Sequence, residues 1–156
     1  FELIYFNKPN VNFNLLIKFI LFNFSSFIEN LDSHGGWISS AEDLVRFADL
    51  FNSPTSASFL TEPIISEIFS NPTGNDSDVF YGYGWLVRRV NGVSKVNTWH
   101  NGSLPGTSTL LVRRHDGFNW AVLFNSRDGK GAKNLSTLID PLIHRAVNRV
   151  KDWPKQ

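Results

Sequence analysis

The stretch His100-Asn101-Gly102-Ser103-Leu104-Pro105-Gly106 decides how this chain is read. It follows a run that reads as a strand, Lys95 to Trp99, and precedes another, Thr107 to Arg114. Gly102 and Gly106 could serve turns alone, so the flanks carry the reading. Downstream, His115-Asp116-Gly117 is a turn and Phe118 to Asn125 a further strand. Upstream, Tyr81 to Val90 reads as a strand. Asn91-Gly92 reads as a two-residue hairpin turn, and Val93 begins the partner that ends at Trp99. Such short connections predict an antiparallel meander.

Helical spacing brackets these strands. Ser39 and Glu42 stand at capping-box distance, and Leu44, Phe47, Ala48 and Phe51 fall on one helix face. Asn52-Ser53-Pro54-Thr55 ends that helix. A second, short helix is predicted from Thr61, with Pro63 in its first turn and Ile64, Ile65, Ile68 and Phe69 buried. Asn71 to Asp78 is a polar loop. Leu135, Leu138, Ile139, Leu142, Ile143, Ala146, Val147 and Val150 predict a C-terminal helical region kinked at Pro141. The fold class is therefore α+β, an antiparallel sheet of about four strands with helices packed mainly on one face.

Composition narrows the function. The 156 residues suit one domain with a core, and 15 basic against 14 acidic residues leave a net charge of +1. That balance argues against nucleic acid or an acidic membrane as the main partner. With no cysteine there is no disulfide, thiolate nucleophile or cysteine metal site. His34, His115 and His144 lack metal-ligand spacing, Asp76 and Asp78 lack the rest of a calcium loop, and no cofactor is expected. Arg88, Arg89, Arg113 and Arg114 read as charges on strand surfaces. Nothing in the composition fixes the compartment.

Residues 1–33 stand apart. Phe, Asn, Ile, Leu, Lys and Tyr make up 24 of the first 30 residues, all with codons rich in A and T, and the chain has no methionine. The expectation is a processed chain or a fragment, led by translated non-coding sequence. The alternative is a weak signal or anchor at residues 15–22, but Asn12, Asn14, Lys18 and Asn23 interrupt that apolar run. The expected organisation is an atypical leader over 1–33 and a partial domain over 34–152.

Three segments in order carry a resemblance. Gly35-Gly36-Trp37-Ile38-Ser39-Ser40-Ala41-Glu42-Asp43-Leu44-Val45-Arg46-Phe47, Tyr81-Gly82-Tyr83-Gly84-Trp85 and the His100–Gly106 stretch resemble segments of β-lactamase-related serine hydrolases. These include the class C β-lactamases and penicillin-binding proteins. Phe118 to Asn125 resembles the strand that follows. The resemblance covers about residues 34–147 and implies the C-terminal part of a β-lactamase/transpeptidase-like fold. For that family it implies an acyl-enzyme mechanism. A serine in Ser-x-x-Lys attacks, Tyr-x-Asn assists, and Lys-Thr-Gly or His-x-Gly lines the opposite wall. Carried over by residue, His100 would bind or polarise a substrate oxygen. Gly102 would let the backbone approach the acyl group, and the Ser103 N–H would be one oxyanion donor. Asn101 stands in the usual place of threonine and can still donate and accept hydrogen bonds. The ligand so implied is a small-molecule ester, peptide or β-lactam.

The chain also departs from the pattern. None of its 16 serines is followed three residues later by lysine. Tyr5-Phe6-Asn7 matches Tyr-x-Asn literally but lacks the flanks and lies too near Gly35, so it reads as coincidence. Ser103, three residues from His100, has no orienting carboxylate in the pattern and does not read as a nucleophile. Tyr81, Tyr83 and Trp85 alternate and read as a packed aromatic strand face. The expectation is the C-terminal portion of a serine hydrolase, inactive alone. The alternatives are a non-catalytic interaction module that self-associates through an exposed sheet edge, and a mispredicted gene product with no stable life of its own.

Overall fold

The computed structural model describes residues 3–7 as backbone, and residues 39–52, 59–92, 94–104, 106–126 and 134–151 with their side chains. Gly35 to Ile38 of the first motif, and residues 8–33 of the expected leader, lie outside the described residues.

Six strands form one sheet: β1 (Leu3–Asn7), β2 (Val79–Tyr81), β3 (Leu86–Arg89), β4 (Val96–Leu104), β5 (Thr107–Arg113) and β6 (Asn119–Phe124). Their order is β1-β6-β5-β4-β3-β2, every neighbouring pair antiparallel. From β2 to β6 this is the meander that the short connections imply. β1, within the stretch set apart by composition, adds itself beside β6.

Three helices complete the fold: α1 (Ala41–Asp49), α2 (Glu62–Ile68) and α3 (Leu135–Arg149). α1 and α2 pack on one face, as expected, and α3 covers the other, because β5 and β6 are apolar on both sides. Side chains alternate along a strand. Val87, Leu111 and Ala121 therefore meet Ala41, Val45 and Ala48 of α1, with Phe51, Leu60, Ile65 and Trp85. Leu110, Val112, Trp120, Val122 and Phe124 turn the other way, against Ile143 and Val147 of α3. Unbroken apolar runs such as Leu110-Leu111-Val112 are the signature of a strand covered twice.

Several local expectations shift. The run Tyr81 to Val90 is not one strand. The chain reverses at Gly82–Trp85, where the Gly82 amide donates to the Trp85 carbonyl at 2.8 Å and Gly84 takes φ +82°, a conformation that favours glycine. Tyr81, Tyr83 and Trp85 consequently do not form one packed strand face: Trp85 is buried, while Tyr81 and Tyr83 are half-exposed. Pairing ends at Arg89 with Val96, so the strands do not reach the two-residue turn expected at Asn91-Gly92. The α1 cap is Ser40, one residue later than expected. Its hydroxyl accepts from the Asp43 amide at 3.1 Å and donates to the Asp43 carboxylate at 2.8 Å. α3 is one continuous helix through Pro141, and of its apolar residues Leu138 and Leu142 stay exposed.

A buried polar network ties α1 to the β5-β6 hairpin. Asp49 Oδ1 accepts from Asn52 and Asn119 at 3.1 Å each, and Asn52 donates to Asn119 Oδ1 at 3.2 Å. Arg113 donates to the Phe51 carbonyl at 3.1 Å and lies 5.0 Å from the Phe69 ring centre. Burial pulls its guanidinium down to about 10, against the opposing pull of Asp49 and Glu62. It keeps its charge at neutral pH. Arg113 and Arg114 are thus buried, not the strand-surface charges expected.

Candidate active-site wall

The site is built on a difference in strand length. β4 pairs with β5 from Thr98 to Leu104, but with β3 only from Val96 to Trp99. His100 to Leu104 therefore run past the end of β3, and among the described residues no strand covers that edge. The bonding alternation decides which backbone groups face it. The Arg89 amide donates to the Asp78 carbonyl across the β2-β3 pair at 2.9 Å. Leu86 and Arg88 must then turn their amides towards β4, opposite Trp99 and Asn97. Two residues per step along β4, the amides of Asn101 and Ser103 point at the open edge, and those of His100 and Gly102 point at β5.

Side chains divide by the same alternation. His100 and Gly102 face the α1/α2 layer; Asn101 and Ser103 face the α3 layer. The His100 side chain, on the α1/α2 face, and the edge amide of Ser103 thus belong to the same uncovered end of β4, while the Asn101 side chain lies on the other face. It lines a separate cleft of about 230 Å³ with Arg88, Trp99, Leu110, Ser136, Thr137 and Asp140. In that cleft burial raises the Asp140 carboxyl above its ordinary value, and burial lowers His144, whose Nε2 lies 3.5 Å from Asp140. Gly102 has a cross-strand reason to be glycine. A Cβ there would come within 2.5 Å of the Thr109 hydroxyl.

His100 has one polar partner that the sequence reading missed. The Tyr81 hydroxyl lies 3.0 Å from its Nε2, with the rings edge to face at 6.0 Å. Tyr81 ends β2, and the Gly82–Trp85 reversal sets it beside β4. That reversal is itself pinned to α2: the Tyr83 amide donates to the Ile68 carbonyl at 3.0 Å. Glycines at two of three successive positions, Gly82 and Gly84, are a turn signal that could have revealed this arrangement. Tyr5-Phe6-Asn7 is placed on β1 at the far side of the sheet. β6 and β5 intervene, so it lies roughly 14 Å from β4 at ordinary strand spacing.

The family comparison matches residues 6–141 to the family described as Beta-lactamase. No curated protein matches the chain. Among solved structures, a D-amino acid amidase from Ochrobactrum anthropi SV3 complexed with L-phenylalanine amide is 21% identical, with a TM-score of 0.55 over 76% of this chain and 35% of its own. A second structure of that amidase gives 20% identity and a TM-score of 0.53 over 74% of this chain and 36% of its own. At this identity the likeness is one of fold, and this chain spans about a third of the amidase's length. With more than half its residues matched in one continuous stretch, the chain belongs to the β-lactamase family.

Proposed function

We propose that this chain supplies the substrate wall of an acyl-transfer site and does not complete the reaction by itself. His100 binds a substrate oxygen, Gly102 lets the backbone run close, and the Ser103 amide is one donor to the oxyanion. The observation that carries the reading is that β4 runs past β3 from His100 on, so the amides of Asn101 and Ser103 face an uncovered edge on the segment that carries His100. Preorganised N–H donors aimed at a developing oxyanion are among the largest contributions to such catalysis. A nucleophile must be activated by a neighbouring base, and these 156 residues hold no Ser-x-x-Lys to provide that pair. Residues 34–152 carry the wall; the atypical composition of residues 1–33 marks them as a leader, although β1 within them pairs with β6. Ligands of this wall are small esters, peptides or β-lactams.

The test is turnover of p-nitrophenyl acetate by the 156-residue chain beside its His100→Ala variant. We expect both to match the uncatalysed rate. Turnover that His100→Ala abolishes would contradict the claim of incompleteness. A second reading has support in the same uncovered edge. Five residues of β4 beyond β3, ending in the exposed Leu104, offer backbone groups to a second strand, and so to self-association. A strictly monomeric chain at every concentration in sedimentation would remove that reading.

A further inference from the structure

We infer that the apolar groove beside His100 receives the substrate's side chain, aromatic or large aliphatic, and that Tyr81 is a positioning residue for His100. The inference rests on the wall reading above and adds to it what the wall selects.

The groove measures about 480 Å³, within the range of small-molecule sites. Its floor is Trp85 and Leu111, both buried. Its sides are Phe47, Phe59 and Tyr83, which remain 43%, 77% and 54% exposed although they are large and apolar. Among the described residues no Asp, Glu, Lys or Arg lines it. A charged side chain would lose its hydration there without a partner. An aromatic one would find ring faces and edges. Phe47 already lies parallel to Trp85 at 6.1 Å, and Phe51 stands edge-on to Trp85 at 5.5 Å.

The polar end of the groove is His100, held by Tyr81 at 3.0 Å. In the tautomer that carries its proton on Nδ1, Nε2 accepts from the Tyr81 hydroxyl and the Nδ1–H can meet a carbonyl oxygen. The site therefore reads two features at once: an oxygen at His100 and the edge amides, and a bulky apolar group beside it.

Equilibrium binding of N-acetyl-phenylalaninamide and N-acetyl-alaninamide to the full chain tests this, because neither amide needs turnover to be measured. The phenylalanine probe should bind about tenfold more tightly, the worth of burying most of a benzyl group. Phe59→Ala and Tyr83→Ala alter exposed residues and should erase that preference. Tyr81→Phe should weaken both probes alike and change the His100 ring nitrogen shifts that report its tautomer, which loss of packing alone would not do. Equal affinities, no binding of either probe, or a preference untouched by Phe59→Ala and Tyr83→Ala would overturn the groove. Unchanged His100 ring shifts in Tyr81→Phe would overturn the role of Tyr81. A preference that survives His100→Ala would instead sink the wall reading and leave the groove standing. Dimers that dissociate on Tyr83→Ala would show a second copy as the occupant and would also overturn it.

Discussion

Two glycines near the corner of the sheet differ in what a methyl group would meet. At Gly82 an added Cβ lies 2.7 Å from the Ile68 carbonyl and 3.3 Å from that of Ser70, both backbone atoms that cannot rotate away. Gly82→Ala should therefore cost about 1–3 kcal/mol in urea denaturation, typical of overpacking. At Gly102 the obstacle is a side-chain hydroxyl, so Gly102→Ala should cost less and be relieved by Thr109→Ala in the double variant. A double variant no better than Gly102→Ala would refute the cross-strand explanation. At this scale the sequence shows which residues are special more readily than what they touch. His100 and Gly102 stand out by motif. Tyr81, nineteen positions before His100, does not, because that contact exists only once β2, β3 and β4 have paired.

Among the elements, α3 shows what periodicity can and cannot resolve. Its seven apolar positions from Leu135 to Val147 fit one stripe, yet the sheet covers only part of it. Ile143 and Val147 are buried while Leu138 and Leu142 are 46% and 49% exposed. Ile143→Ala should cost about 2–5 kcal/mol and Leu142→Ala at most a few tenths, read from unfolding midpoints. α3 also carries His144, packed edge-on against Trp120 at 4.7 Å and facing Asp140, Arg114, Arg88 and Asp116. Burial, the largest influence, holds its pKa below the ordinary 6.5. The folded state then binds fewer protons than the unfolded one in that range. Stability from this residue is complete above 6.5 and is lost as pH falls towards the lowered value. Asp140 acts in the opposite direction at lower pH. Its raised pKa makes the folded state favour the proton, so its contribution worsens as pH rises from 3.8. Urea midpoints of the chain and of His144→Gln should converge as pH falls through the histidine range; parallel curves would contradict this. Strands were legible where alternation and turn residues agreed, as in β5 and β6. They were misread where aromatic alternation masked a reversal at Gly82–Trp85.

For the molecule as a whole, the second helix layer was the feature hardest to see. Continuous apolar runs in β5 and β6 do imply cover on both faces, but helical spacing alone does not say which face each helix takes. The family was legible from three short segments, and the match over residues 6–141 agrees with them. At the scale of the whole sheet, β4 outruns β3 at the corner where His100 sits, and among the described residues no strand pairs with the Asn101 and Ser103 amides. Hydrogen exchange should reflect this, with those two amides exchanging far faster than Leu111 and Val112 in the sheet centre. The most direct measurement is an amide NMR titration of the 156-residue chain with N-acetyl-phenylalaninamide. The Asn101 and Ser103 resonances should move with the His100 ring signals and stay still in His100→Ala. Shifts confined to the α3 side of the sheet, or edge amides unmoved at saturation, would contradict the placement of the substrate wall on this edge.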